Sequence, residues 1–193
     1  MTHANNQTII LTIGHSTRQI DDFLELLNLN NVKLLVDVRT LPGSRRNPQF
    51  NQEALASALR QVGIQYMHLP ILGGLRHPRK DSINTAWRNA GFRGYADYMQ
   101  TKEFENGIQQ LIQLAKDQMI AIMCAEAVPW RCHRMLLSDA LSVRGLNVEH
   151  IISLKTRSPH VLSKFAKVKG ITITYPGTPV SKRRTPSWQN TLA

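Results

Sequence analysis

Two cysteines, an acidic residue and nearby arginines lie within eleven positions of the chain. Cys124 and Cys132 enclose Glu126 in the stretch Cys-Ala-Glu-Ala-Val-Pro-Trp-Arg-Cys-His-Arg. A thiol beside arginines and the start of a helix ionises more readily than a free cysteine. Cys124 is therefore a candidate nucleophile, with Cys132 as its resolving partner or a second ligand. The alternative is that Cys124, which follows Met-Ile-Ala-Ile-Met, is an inert buried side chain.

Glu126 also allows two interpretations. A carboxylate beside an apolar strand either pairs with an arginine for structural reasons or acts as an acid or base. We count it among the candidate catalytic residues, together with Cys124 and Asp37.

A second candidate position follows the first apolar run. Gly14 precedes His15 and Ser16, and a helical pattern begins soon afterwards. A glycine turn in front of a helix suits an anion, so His15 and Ser16 are candidate ligands for one. Alternatively, Ser16 or Thr17 caps the helix.

Several arginines lie in the loops that follow the next strands. Asp37 and Arg39 flank one residue, so their side chains share a face of an extended strand and could simply pair with each other. Arginine grips phosphate or carboxylate through two parallel hydrogen bonds. Arg39, Arg45 and Arg76 are therefore candidate ligands for an anionic substrate.

The spacing of the cysteines does not favour a metal site. Cys-x7-Cys-His, ending at His133, matches no standard zinc spacing. His15 and His68 could supplement the donors if their strands are neighbours, but we predict no metal ligands.

The pattern of apolar residues predicts the strands and helices that carry these candidate residues. Short apolar runs predict five strands, and residues with helical spacing predict helices between them. The predicted strands cover 8–13, 33–38, 64–69, 119–124 and 148–152, and the predicted helices cover 19–29, 51–62, 103–117 and 132–145. Alternation of this kind indicates an α/β fold of three layers, α/β/α, with a mostly parallel, Rossmann-like sheet. Ligands of such sheets bind beyond the carboxyl ends of the strands, where most of the candidate residues lie.

The charge of the chain is strongly positive and unevenly distributed. Lys and Arg exceed Asp and Glu by 24 to 13, and residues 150–193 contain eight basic residues and no acidic one. We therefore predict an α/β domain over 1–155 and a basic C-terminal extension over 156–193, with a composition compatible with partial disorder. The extension is either a solvated tail or an electrostatic contact for nucleic acid.

The composition also excludes some classes of protein. No apolar run approaches the roughly 20 residues that span a bilayer, and the first residues lack a secretory pattern. Two cysteines are too few for a disulfide framework. We therefore expect a cytoplasmic protein with no membrane partner.

Six ordered motifs lie between about residues 11 and 155, and they are IGHS, LVDVRTLPGSRRNPQFN, HLPILGGLR, FRGYADYM, MCAE and CHR. Together they closely resemble the domain of unknown function 488 family. The resemblance implies a compact α/β domain and supplies no reaction. Its polar positions in this chain are His15, Ser16, Asp37, Arg39, Arg45, Arg76, Cys124, Glu126, Cys132, His133 and Arg134.

The leading functional hypothesis is a small enzyme that acts on a phosphate-bearing ligand, such as a nucleotide or nucleic-acid constituent. The second is a non-catalytic module that binds nucleic acid through the same arginines and the basic tail. The third is rhodanese-like or phosphatase-like thiol chemistry through Cys124. Against the third, Cys124 to Arg131 is C-x6-R rather than the phosphatase C-x5-R, and Glu126 adds a negative charge to an anion loop. The sequence indicates neither a cofactor nor an oligomeric state.

Overall fold

The computed structural model describes residues 8–177, in which six strands form one sheet and two more form a hairpin. The sheet has the strand order β3-β2-β4-β1-β5-β6; the first five strands of the chain are parallel, and β6 runs antiparallel to β5. The strands are β1 (Ile9–Gly14), β2 (Leu34–Asp37), β3 (Gln65–His68), β4 (Ile120–Cys124), β5 (Asn147–Ser153) and β6 (Thr156–Pro159), and the hairpin is β7 (Lys167–Lys169) with β8 (Thr172–Thr174).

Helices cover both faces of the sheet and confirm the predicted three-layer α/β/α fold. Within the described residues these are α1 (Ile20–Leu29), α2 (Gln52–Gln61), α3 (Ala90–Tyr98), α4 (Lys102–Asp117) and α5 (Arg134–Ser142). One core cluster contains the buried side chains of α1 and α2, and the other contains those of α3, α4 and α5. Between residues 8 and 177, no helix combines the length and the hydrophobicity needed to cross a bilayer.

The local sequence explains why these elements form where they do. The central strands β2 and β4 are buried along their whole length, which matches their nearly continuous apolar sequence. Two helices end at glycines with positive φ, Gly63 at 73° and Gly145 at 82°. All five predicted strands and all four predicted helices are present, with ends that differ by a few residues.

One helix, α3, and three strands, β6, β7 and β8, are additional to the predicted elements. Helix α3 begins in a polar stretch whose sequence suggests a long loop. Asn89 caps this helix by accepting a hydrogen bond from the amide of Phe92, and Gly94 is one of its buried residues. A side chain at that position would collide with the backbone carbonyl carbon of Arg76, 2.7 Å away. Strand β6 adds an antiparallel edge to the sheet at the point where the predicted extension begins.

The chain continues across the predicted boundary at 155 without leaving the body. Tyr175 is fully buried, and its hydroxyl donates a hydrogen bond of 2.8 Å to Asp139 of α5. Asp139 also accepts hydrogen bonds from the His160 ring at 2.8 Å and from the Ser163 amide at 3.1 Å. A buried carboxylate thus anchors residues 156–177, whereas the basic run at 181–193 lies outside the described residues.

Candidate functional site

The site lies where the connections of the sheet diverge. β1 and β4 are neighbours, yet α1 follows β1 on one face of the sheet and α5 follows β4 on the other. The two loops join directly, since the amides of His15 and Ser16 donate to the carbonyls of Cys124 and Ala125 at 3.1 and 2.8 Å. A crevice at such a divergence is the usual ligand position in an open parallel sheet.

The buried side chain of Arg134 binds the backbone of the loop between Cys124 and Cys132. Its side chain is 1% exposed, and its guanidinium donates to the carbonyl of Glu126 and, at 3.3 Å, to the Thr12 hydroxyl. Gly14 leaves the space for this contact, because a side chain there would overlap the Glu126 carbonyl and approach the guanidinium to 2.8 Å. Arg134 therefore positions the loop rather than facing a ligand.

The two cysteines and His133 meet at the end of β4 and the start of α5. Nδ1 of His133 lies 3.6 Å from Sγ of Cys132 and 3.9 Å from Sγ of Cys124, and all three atoms are within 4.8 Å of one another. The Arg134 amide, at the helix start, also donates to the Cys132 sulfur at 3.5 Å. We call these three residues the thiol–imidazole cluster.

The two sulfurs of the cluster differ electrostatically. A hydrogen bond from Cys124, together with His133 and Arg134, holds the pKa of the Cys132 thiol well below its ordinary value, against the effect of burial. The pKa of Cys124 is raised by that same contact and by burial. The structure thus favours Cys132 as the thiolate, whereas the sequence pointed to Cys124.

Packing orients the imidazole of His133. On one side lies Gly74, where a side chain would come within 2.7 Å of the ring. On another side the ring of Tyr95 has its centre 5.0 Å away. Nε2 of His133 is buried without a hydrogen-bond partner among residues 8–177, so the ring is held by its neighbours and by Nδ1.

Two adjoining cavities open at this edge of the sheet. The inner cavity, about 380 Å³, contains the thiol–imidazole cluster; the outer cavity, about 570 Å³, is bordered by His15, Ser16 and Thr17. Five residues line both cavities, and they are Arg39, Leu41, Ala125, Glu126 and Arg131. The combined space has the size of a small-molecule site.

A known family model matches the central part of the chain. The family model described as Domain of unknown function DUF488 matches residues 19–141, more than half of the chain. The chain belongs to the DUF488 family. This match confirms the resemblance drawn from the motifs, although the IGHS motif at 13–16 precedes the matched range. Comparison with curated proteins and with solved structures returns no match.

Most of the residues predicted for the DUF488 site come together at the two cavities. His15, Ser16, Arg39, Cys124, Glu126, Cys132 and His133 all line one cavity or both. His15 is buried against Phe50, and burial lowers its pKa to about 4. A neutral ring fits its contacts, because Nδ1–H donates to the carbonyl of Ser16 at 2.8 Å and Nε2 faces Arg39 at 3.3 Å.

Asp37 is not placed for proton transfer to a ligand. It is fully buried, accepts hydrogen bonds from the guanidinium of Arg39 at 2.6 and 2.9 Å, and accepts another from the hydroxyl of Tyr66 at 2.8 Å. Arg39 donates further to the carbonyl of Phe50 at 2.8 Å. The pairing considered for Asp37 and Arg39 is therefore present, and Asp37 borders neither cavity.

Two of the predicted arginines also lie away from the cavities. The guanidinium of Arg76 stacks over the ring of Tyr98 at 3.7 Å and donates to the carbonyls of Ile71 and Gly73, so it stabilises its own loop. Arg45 is exposed and borders neither cavity, although its neighbour Ser44 lines the outer one.

Several residues that line the cavities were not among the predicted site residues. They are Thr17, Thr40, Leu41, Gly74, Leu75, Asn89, Phe92 and Arg131. Arg131 was recognisable as a cation next to Cys132, but Asn89 and Phe92 reach the site through the unpredicted helix α3. Within residues 8–177, the thiol–imidazole cluster is the group of acidic, histidine or cysteine side chains whose donor atoms converge closely enough to hold a metal ion.

Proposed function

We propose that this DUF488 protein is an enzyme that acts on a phosphate-bearing ligand of nucleotide size, which spans both cavities. The observation that carries this proposal is the wall shared by the cavities. Arg39, Glu126 and Arg131 line both the outer cavity, with its hydroxyl groups, and the inner cavity, with its two thiols. A ligand of nucleotide size that occupies both cavities would contact the two guanidinium groups, the carboxylate and the sulfurs at the same time.

The phosphate end belongs in the outer cavity beside Arg131. The Arg131 side chain is exposed and has no ion-pair partner among residues 8–177, whereas Arg39 is already neutralised by Asp37. The hydroxyls of Ser16 and Thr17 line the same cavity and can donate to phosphate oxygens. Since arginine binds phosphate with two parallel hydrogen bonds, Arg131 is the principal anchor.

The uncharged end of the ligand belongs in the inner cavity. Leu41, Leu75 and Phe92 contribute apolar surface there, and Asn89 contributes an amide. Leu41 and Leu75 are more than 70% exposed, so a ligand bound against them would remove apolar surface from water. A flat heterocycle suits such walls, because it combines apolar faces with a few hydrogen-bonding edges.

Glu126 is the residue we assign to proton transfer. It lines both cavities and is exposed, and its backbone carbonyl is held by the buried Arg134. A carboxylate that faces the ligand from a fixed backbone meets the geometric requirement for a general acid or base. Asp37, the other candidate, has its oxygens occupied by Arg39 and Tyr66.

A binding experiment with nucleoside monophosphates tests the anchor. Calorimetry compares each monophosphate with its nucleoside on the wild type and on Arg131→Ala. Loss of a charge-assisted hydrogen bond, about 1.5–3 kcal/mol, weakens monophosphate binding roughly 10- to 100-fold and leaves the nucleoside unaffected. Arg60→Ala is the matched control, because Arg60 lies in the last turn of α2 and lines neither cavity.

Glu126→Gln separates catalysis from binding. In an enzyme, this variant binds the monophosphate as the wild type does and loses product formation, measured by chromatography of the incubated ligand. Equal turnover by the variant would contradict the role of Glu126. Failure of every monophosphate to bind better than its nucleoside would contradict the proposal as a whole. Tight, strongly salt-dependent binding of oligonucleotides without any turnover would instead identify a nucleic-acid-binding module.

A further inference from the structure

The spacing of the thiol–imidazole cluster matches the edges of a tetrahedral metal site. Zinc bonds of about 2.3 Å to sulfur and about 2.0 Å to nitrogen place two sulfurs about 3.8 Å apart, and sulfur and nitrogen about 3.5 Å apart. The observed distances from Nδ1 of His133 are 3.6 Å to Cys132 and 3.9 Å to Cys124, with all three donors within 4.8 Å. The distance between the two sulfurs is at most 4.8 Å, so a shortening of no more than about 1 Å would complete the geometry.

We propose that Cys124, Cys132 and His133 hold a zinc ion whose fourth coordination position faces the inner cavity. Binding converts two thiols to thiolates, whose protons pass to solvent, and the neutral imidazole coordinates through Nδ1. This inference goes beyond the proposed function, which requires only a bound phosphate ligand and Glu126.

The fold holds these donors ready for a metal ion. Cys124 is fixed by β4, the last residue of which it forms, and Cys132 and His133 lead directly into α5. The amide of Arg134 donates to the Cys132 sulfur, a contact that suits a thiolate ligand. Two thiolates this close repel each other, and a divalent cation between them removes that repulsion.

The soft donors select the class of metal. Two thiolates and an imidazole favour zinc over magnesium or calcium, which prefer oxygen ligands. Structural zinc sites have four protein ligands, whereas catalytic zinc keeps one position for water or substrate. Among residues 8–177, the cluster comprises three donor side chains, so its composition matches the catalytic class.

The fourth coordination position of the proposed zinc ion faces the cavity that would hold the ligand. All three donor residues line the inner cavity, and Glu126 borders the same space. A zinc ion here would lower the pKa of a bound water, and Glu126 would be placed to accept the proton of that water. A zinc ion here would give the exposed Glu126 a specific task.

Metal content and cobalt spectroscopy test the proposal. The full chain is purified with zinc in the medium, analysed by mass spectrometry for metals, stripped with a chelator and titrated with Co²⁺. We expect one equivalent of zinc per chain. We also expect a cobalt spectrum with thiolate-to-metal charge-transfer bands in the near ultraviolet and intense visible bands of tetrahedral Co²⁺.

Variants identify the ligands. Cys124→Ser and Cys132→Ser should each reduce the charge-transfer intensity by about half, since one of two thiolates is lost. His133→Ala should keep those bands and weaken Co²⁺ binding at least tenfold, about 1.4 kcal/mol. His77→Ala, which changes an exposed histidine outside the cluster, should behave as the wild type. Circular dichroism verifies that each variant folds.

A measurement on the wild type covers the case in which a variant does not fold. Zinc should slow iodoacetamide alkylation of both cysteines, resolved by peptide mass spectrometry. Substoichiometric zinc, a cobalt spectrum without thiolate bands, or equal alkylation with and without zinc would overturn the proposal. The monophosphate experiment depends on Arg131 and not on the cysteines, so zinc binding and the proposed phosphate binding can fail independently.

Discussion

Mild acid should destabilise the protein through His150, a histidine buried between β1, β5 and α5. Its Nδ1 accepts from the Thr12 hydroxyl at 2.7 Å, and its Nε2–H donates to Nδ1 of His160 at 3.1 Å. His160 in turn donates to Asp139, and Arg134 donates to Thr12. This chain of bonds is complete only when the His150 ring is neutral, since a second ring proton would point at a hydroxyl oxygen that already faces a cation.

The size of the effect follows from the pKa of His150. Burial, followed by the nearby His160 and Arg134, lowers this pKa from 6.5 to about 4. Between these values the unfolded chain binds a proton that the folded chain does not, so stability rises with pH and is lost as the pH falls from 6.5 toward 4. Between about pH 7 and about pH 5 the loss from this one residue is about 2 kcal/mol.

Urea denaturation followed by circular dichroism at both pH values measures this loss. His150→Asn lowers stability at neutral pH, but its further loss on acidification should be about 2 kcal/mol smaller than that of the wild type. His77→Asn, at an exposed histidine, should show the wild-type dependence on pH. If wild type and His150→Asn lost equal stability between the two pH values, the reasoning about a neutral buried ring would be refuted.

Two further substitutions test the packing around the site and the docking of the C-terminal segment. Gly74→Ala should displace the His133 ring, destabilise the protein by about 1–3 kcal/mol and weaken Co²⁺ binding, whereas Gly43→Ala, with open space around it, should do neither; an unchanged cobalt affinity would contradict the proposed role of that ring. Tyr175→Phe removes one of the hydrogen bonds to the buried Asp139 and should cost about 1–3 kcal/mol in urea denaturation. An unchanged denaturation midpoint would show that the segment ending at Tyr175 does not need this bond.

The periodicity of apolar residues predicts the layers of the fold. It does not predict helix α3 or the packing of residues 156–177. The buried strands β2 and β4 are recognisable because both of their faces are covered, which makes their sequence apolar throughout. Helix α3 carries no such signal, because it packs through Gly94 and Tyr95 and buries the polar Asp97. Likewise, no local feature of residues 156–177 indicates that their partner is a carboxylate on α5.

The sequence also predicted part of the candidate site, because the strand pattern indicates which residues lie at the carboxyl ends of the strands. Any parallel sheet brings residues at the carboxyl ends of its strands to one edge, so His15, Arg39 and Glu126 could be expected at this edge, where all three line the cavities. The role of each side chain depends on its neighbours. The pair of Asp37 and Arg39 was one of the alternatives that their spacing left open, whereas no spacing in the sequence indicates that Arg76 stacks on Tyr98.

The sequence by itself determined the alternation of strands and helices, the family, and the edge of the sheet at which chemistry is expected. Only the tertiary structure decided that Cys124, Cys132 and His133 converge and that Arg131 is the cation with no ion-pair partner among the described residues at the cavity wall. The physical reason is that periodicity reports which face of an element is buried, whereas contacts between side chains depend on strand order and loop paths. Here β4 lies beside β1, and the loop that leaves β4 brings Cys132 and His133 back beside Cys124 at the end of that strand.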